Sequence, residues 1–200
     1  MSAKLILASQ SLIRGAMLKN VGLEYEAYAS NIDEKIVKES MLKEKATPEQ
    51  VALSLAEFKA RTITSQHQNA FVIGCDQILE MDGTIYDKVN NVNELRNRLV
   101  ELSGRSHQLI SAVCVVQDDQ LLWHYVDKNK VSLRQLTDDT INQYIGKAPE
   151  DIFDCVGGYQ IEGMGLQLIE RVEGDYFSAL GMPMLPLLAF LRNHLETILK

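Results

Sequence analysis

The sequence predicts an α/β fold built on a mixed β-sheet flanked by helices. Three observations carry this expectation. The chain opens with a strand, a small polar turn and a helix; later apolar runs of strand length alternate with helical periods; and three strands follow one another with no helix between them. The last feature calls for antiparallel neighbours, so the sheet is not strictly doubly wound and the order is not that of a dinucleotide-binding fold.

Taken in order, residues 4–8 are an apolar run of strand length, and residues 12–20 have helical spacing closed by Val21-Gly22. Residues 23–30 alternate weakly, as a strand does. Residues 31–45 mix both charge signs so densely that they read as a solvated helix or a mobile segment. Thr47-Pro48-Glu49-Gln50 has the form of a capping box with Pro at the first helical position, and the helix it starts reaches about Ser65. The compact run 70–74 predicts a buried strand ending at Gly74-Cys75-Asp76, which delivers a carboxylate at its C-terminal end. Asp82-Gly83, between runs 78–81 and 84–86, is the strongest hairpin signal in the chain. Residues 91–102 are helical and stop at Ser103-Gly104, and 107–116, 120–127 and 129–136 form the antiparallel set. Thr137-Asp138-Asp139 begins a helix to about Gly146; 157–165 is glycine-rich, 166–172 a strand and 185–199 a closing helix.

A chain of 200 residues that is 46% hydrophobic buries a sizeable core. It carries no repeat, low-complexity tract or dividing linker, so a single domain over 1–200 is expected, with room for two lobes. No apolar run approaches the roughly 18 to 20 residues needed to span a bilayer, and Met1-Ser2-Ala3-Lys4 leads into the first strand without a cleavage pattern. The expectation is a soluble, cytoplasmic protein with no membrane partner. A net charge of −7 with scattered Lys and Arg argues against a nucleic-acid surface, which needs clustered cations to displace phosphate counterions. Cys75, Cys114 and Cys155 are odd in number, far apart and set among apolar residues, and read as buried free thiols. His67, His107, His124 and His194 lack metal-ligand spacing. With neither a nucleophile elbow nor a Cys/His nucleophile context, covalent catalysis is not expected.

Several weak constellations point to anion chemistry. Ser9-Gln10-Ser11 lies between a buried strand and a helix start, where unpaired N–H groups and the helix dipole favour an anion, and Arg14 follows one turn on. A simple helix cap with a surface arginine fits the same residues. Asp76 reads either as a carboxylate that holds a divalent metal or orients water, or as a turn residue. Asp33-Glu34 is a second pair of carboxylates in a stretch otherwise full of solvated charge. Lys59 and Lys88 are lysines suited to neutralising phosphate oxygens, a role no isolated lysine declares. The glycine-rich segment is neither a Walker loop nor a GxGxxG turn, and it carries Gln160 and Glu162 toward any ligand.

In order along nearly the whole chain, Leu7-Ala8-Ser9-Gln10-Ser11 with Arg14, residues 55–60, residues 72–77, Asp87-Lys88, residues 102–107, Gly158-Tyr159-Gln160-Ile161-Glu162-Gly163 and residues 173–177 together resemble the Maf-like (septum formation protein) family of nucleotide pyrophosphatases. The resemblance implies cleavage of a nucleoside triphosphate to a monophosphate and pyrophosphate, in a cleft between two lobes of an elongated mixed sheet. It also implies Mg²⁺ or Mn²⁺ and a homodimer. Position by position, Asp76 matches the family's proton acceptor, Ser9, Ser11 and Arg14 its phosphate-binding motif, Lys59 and Lys88 its phosphate-contacting lysines, and Asp33 an acidic residue near the metal. The same logic leaves Asp76 either base or metal ligand.

Three departures from the family pattern bear on specificity. Ser-Pro-Arg-Arg is here Ser11-Leu12-Ile13-Arg14, which removes a helix-starting Pro and one Arg. Gln77 and Glu162 stand where the dTTP- and UTP-preferring type has Thr and Gln, and they resemble the branch that takes 7-methyl-GTP. A carboxylate suits guanine, which offers both N1–H and an exocyclic amine, whereas thymine and uracil offer one N–H. Ile13 matches neither branch. Lys88-Val89 replaces Lys-Pro, which loosens the backbone after the lysine. Three rivals accompany this reading: a dTTP/UTP pyrophosphatase, a nucleotide-binding protein linked to septum formation with weak turnover, and a base deaminase, whose paired-cysteine zinc signature is absent.

Overall fold

The computed structural model of the chain describes residues 4–195. It is an α/β protein with one mixed sheet of seven strands in the order β2-β1-β3-β5-β6-β7, with β4 paired to β3. The strands are β1 (Leu5–Leu7), β2 (Glu26–Ala27), β3 (Phe71–Met81), β4 (Thr84–Tyr86), β5 (Ser106–Gln117), β6 (Gln120–Leu133) and β7 (Ile169–Glu173). The helices are α1 (Leu12–Asn20), α2 (Glu34–Lys43), α3 (Pro48–Thr64), α4 (Val92–Leu102), α5 (Asp138–Ile145), α6 (Tyr176–Ala179) and α7 (Met184–Leu191). The chain divides into two compact units. The first comprises Met1–Asp76, Ser111–Asp127 and Gly181–Lys200, and the second Gln77–Ile110 and Lys128–Leu180. Among the described residues, no helix is long and apolar enough to cross a membrane.

In the first unit β1 runs parallel to both β2 and β3, pairing Leu5 with Phe71 and Leu7 with Ile73. Strands β1 and β3 are buried along both faces and so read as unbroken apolar runs. Helix α3 is the main cover. Thr47 and Gln50 close a reciprocal capping box at its start, with Pro48 at the first position. Its buried stripe is Val51, Ala52, Leu55, Ala56, Lys59, Ala60 and Ile63, the spacing of one helix face with a lysine in it. At Gly74 the backbone of α3 comes so close that an added Cβ would lie 2.0 Å from the Ala56 carbonyl oxygen. Only glycine admits that approach. Gly74 and Asp76, two apart on β3, face the same side, and Ala56 and Lys59 are three apart on α3. The close contact therefore sets Lys59 against Asp76.

The second unit packs one apolar cluster, including Leu79, Leu95, Leu99, Leu109, Val131, Leu133, Tyr144, Tyr159 and Leu168. The Asp82-Gly83 hairpin forms as expected. Both turn residues have positive φ, 52° and 80°, the conformation a two-residue loop needs to match strand twist, and Met81 pairs with Thr84.

Several boundaries differ from expectation. The strand through 70–74 does not end at Asp76. It continues to Met81 and absorbs the run 78–81, so Asp76 sits in mid-strand. Gly74, taken as part of a strand end, instead serves helix packing. Likewise 120–127 and 129–136 are one strand to Leu133, since Lys128 does not interrupt the ladder. Of 23–30 only Glu26–Ala27 pairs, both exposed. The strand of 166–172 starts at Ile169, after a 3-10 turn over Met164–Leu168. Residues 31–45 resolve to α2, which buries no residue and is capped by Asp33. The closing helix ends at Leu191, and positions 196–199 of its expected span lie outside the described residues.

Candidate functional site

The first unit gathers most of the residues singled out from sequence. The β1–α1 turn places Ser11 as N-cap of α1, its oxygen accepting from the Arg14 N–H at 3.4 Å, while the Ser9 oxygen accepts from the Ser11 N–H at 3.2 Å. Arg14 reaches back across this turn. Its Nε donates to the Gly181 carbonyl at 3.0 Å, and its Nη1 to the Cys75 carbonyl at 3.2 Å and to Ser9 Oγ at 3.4 Å. The arginine thus ties the serine loop to the residue before Asp76. Ile13 is half-buried beside it, and Leu12, where the family has Pro, is 82% exposed.

Lys59 and Asp76 are buried and in contact, Nζ to Oδ1 at 2.6 Å. The same ammonium meets Glu34 Oε1 at 2.8 Å. One cation therefore lies between two carboxylates, with a guanidinium nearby. Burial opposes the charge on Lys59, but the Asp76 and Glu34 carboxylates outweigh it and hold its pKa above the ordinary lysine value. Burial pushes the Asp76 carboxyl upward, against the pull of Lys59. Burial also raises the Cys75 thiol to about 11, which keeps it protonated and unreactive.

Asp33 takes a different place. Its Oδ1 accepts from the Lys35 and Ile36 N–H groups at 3.1 Å and caps α2. That cap aims the next residue, Glu34, into the first turn, where it reaches Lys59. Glu34 was expected as one half of the Asp33-Glu34 carboxylate pair, with no partner assigned to it. The signal for the Lys59 partnership was present in sequence as a lysine on the apolar stripe of α3, where an unpaired charge would be untenable.

In the second unit, Lys88 is exposed between Asp87 and the buried Val89. Gln77 donates from its amide to the carbonyls of Ser178 at 3.3 Å and Ala179 at 2.9 Å, which anchors α6. Glu162 is exposed on the glycine-rich segment. Behind that segment, Tyr144 donates to the Gly158 carbonyl at 3.2 Å, and Tyr159 bonds His107 Nε2. Burial, with Arg98 nearby, lowers the His107 pKa to about 4, so the ring is neutral. The structure brings Ser9, Ser11, Arg14, Lys59 and Asp76 together in the first unit, and Gln77, Lys88 and Glu162 belong to the second.

Among the described residues no cluster of three or more His, Cys, Asp or Glu side chains gathers as a metal cage. The carboxylates of Glu34 and Asp76 both face the Lys59 ammonium and offer hard oxygens, the chemistry Mg²⁺ and Mn²⁺ take. Mg²⁺ is typically held by one or two carboxylates together with substrate phosphates, and this donor set fits that pattern.

A carboxylate–ammonium–carboxylate set beside a serine- and arginine-lined helix start defines a class of α/β protein equipped for phosphoryl chemistry. More narrowly, the chain belongs to the Maf-like protein family, whose pattern matches residues 4–194. It is 43% identical over 193 residues to the 7-methyl-GTP pyrophosphatase of Brucella abortus biovar 1 (strain 9-941), covering 96% of this chain and 97% of that one. It is 41% identical over 191 residues to the nucleoside triphosphate pyrophosphatase of Granulibacter bethesdensis (strain ATCC BAA-1260 / CGDNIH1), with the same coverage. Among solved structures, the Staphylococcus aureus Ham1 protein is similar over 68% of this chain and 72% of that one, at 17% identity and a TM-score of 0.33, a likeness too slight to argue from.

Proposed function

We propose that this chain hydrolyses a nucleoside triphosphate between its α and β phosphates, releasing a monophosphate and pyrophosphate, in a cytoplasmic house-cleaning role. The observation that carries the reading is the buried Lys59, held between Asp76 and Glu34 and adjoining the Arg14 loop. A buried carboxylate whose pKa is raised is a better proton acceptor near neutral pH than an ordinary aspartate. Asp76 takes a proton from the attacking water as its oxygen bonds to the α-phosphorus, and the bond from that phosphorus to the bridging oxygen breaks as pyrophosphate leaves. Lys59, Arg14 and Lys88 supply cationic donors to phosphate oxygens, and Ser9 and Ser11 supply hydroxyl donors. With Asp76 as the proton acceptor, Glu34 is the carboxylate that would hold Mg²⁺ or Mn²⁺, which when bound would neutralise charge on the phosphates. In this reading Glu34 takes the metal-side role expected of Asp33, whose carboxylate is engaged by the backbone of α2.

The substrate class we favour is a modified guanine nucleotide such as 7-methyl-GTP, with Glu162 accepting from N1–H and the exocyclic amine. Two features support it: the exposed carboxylate on the glycine-rich segment, and relatives above 40% identity whose names specify that substrate. The functional unit is taken to be a homodimer.

The test is pyrophosphate release from a panel of normal and modified triphosphates with Mg²⁺ or Mn²⁺. Wild type is expected to turn over a methylated guanine nucleotide best, Asp76→Asn to lose most activity, and Glu162→Gln to narrow the preference for guanine over pyrimidines. The acid limb of kcat/KM is expected above the ordinary aspartate range. Full activity in Asp76→Asn refutes the mechanism, and an unchanged ranking in Glu162→Gln refutes the base assignment. Tight triphosphate binding with no product over hours supports the binding-protein reading instead.

A further inference from the structure

The segment carrying Lys88 is held in an unexpected way. The family's proline after this lysine is absent, yet the segment is fixed on both sides. Val89 is buried in the core of the second unit, and the Asp87 carbonyl accepts from Arg98 Nη2 at 3.0 Å. The Asn90 N–H and side-chain amide both donate to Glu94 Oε2, at 2.8 and 3.1 Å. Arg98 has a second attachment. Its Nη1 donates to the Val156 carbonyl at 2.5 Å, immediately before Gly157 and the glycine-rich segment. The guanidinium also lies over the Tyr86 ring, 4.6 Å from its centroid, and Tyr86 in turn donates to Glu101 of the same helix, α4. One planar, half-buried cation therefore grips the chain next to Lys88 and the chain leading to Glu162. Both carbonyls lie outside the strand ladders, and beside the shared apolar packing of Val89 and Val156 it is Arg98 that bonds the two backbones at once.

We propose that Arg98 is a positioning residue that couples Lys88 to the glycine-rich segment, so that one side chain sets the spacing of the phosphate-contacting lysine and the base-reading carboxylate. The proposal rests on the roles assigned above to Lys88 and Glu162. Arginine is required because its rigid fork presents two donors to two carbonyls while its face stacks on Tyr86; a lysine ammonium supplies a point charge and no fork. Rigidity that proline supplies within a backbone is here supplied by a side chain from α4.

Two measurements on Arg98→Met and Arg98→Lys test it. The first needs no substrate: amide hydrogen exchange on the free protein. Loss of charge-assisted bonds to both carbonyls is expected to speed exchange roughly tenfold or more at residues 87–90 and 157–163 together, with Arg98→Lys restoring little. Acceleration in only one segment, or in neither, overturns the coupling. The second is kinetic, with each variant combined with Lys88→Ala. Arg98→Met is expected to lower kcat/KM roughly ten- to a hundredfold in the wild-type background and by less than about threefold where Lys88 is already lost. Equal effects in both backgrounds mean that Arg98 acts only on general stability and overturn the proposal. Wild type that releases no pyrophosphate refutes the functional reading, and the exchange measurement still decides the coupling by itself.

Discussion

Replacing Lys59 by Met removes the cation from the buried Lys59–Asp76 contact while keeping its length. The two groups stand 2.6 Å apart with side chains 10% and 7% exposed, so water screens them poorly. At an effective dielectric of about 20 the attraction across that distance is about 6 kcal/mol, partly offset by the desolvation of both charges. Removing one partner of a buried pair typically costs about 3 to 5 kcal/mol, because the other charge remains buried and uncompensated. Glu34, 38% exposed, adds little once screening is allowed for. The sign of the pH dependence follows from Asp76. Burial already raises its folded pKa, and without Lys59 the rise is larger. A carboxyl whose folded pKa lies above its unfolded value has full stability below the unfolded value and loses it as pH rises through the folded one. The deficit of Lys59→Met relative to wild type is thus expected to be greater at higher pH and to shrink as pH falls toward the ordinary aspartate range. Urea denaturation at several pH values reads this directly. The double variant Lys59→Met/Asp76→Asn is expected to be more stable than Lys59→Met at neutral pH, since it carries no orphaned charge. A deficit that is constant with pH, or below about 1 kcal/mol, refutes the reasoning.

Two further perturbations probe how the site is supported. Gly74→Ala places a methyl group 2.0 Å from the Ala56 carbonyl oxygen, so α3 has to move; we expect a loss of at least about 3 kcal/mol together with lower activity, read by melting and pyrophosphate release, and a near-neutral result contradicts the close packing that sets Lys59 on Asp76. His107 is neutral in the fold with a pKa of about 4 against an ordinary 6.5, so the unfolded chain takes up its proton first as pH falls. At 1.36 kcal/mol per pH unit this removes about 3 kcal/mol of stability between pH 7 and 4. His107→Gln is expected to show a correspondingly flatter stability curve, and curves parallel to wild type count against it.

Much of the secondary structure was legible because its signals are local. The capping box at Thr47, the Asp82-Gly83 turn and the helix boundaries at Leu12 and Asn20 each involve contacts within a few residues, and each formed where expected. The candidate site residues were named in type and order through the family pattern. What escaped were features whose cause is distant in sequence. Asp76 looked like the end of a strand because Gly74 reads as punctuation, whereas its glycine serves a helix 18 residues earlier. Arg98 falls inside the helix read over 91–102, and nothing local marks the two carbonyls it serves.

The sequence by itself determined the α/β class, the family and the chemical inventory: carboxylates, lysines, an arginine and a serine loop in a fixed order. Periodicity and turn chemistry are written residue by residue, so they survive without coordinates. Only the tertiary structure decided which charges are partners. Asp33 and Glu34 are adjacent and chemically alike, yet one caps a helix and the other meets Lys59. That choice depends on the direction in which the α2 cap aims each side chain and on a lysine buried 25 residues away, where an unpaired ammonium would be intolerable.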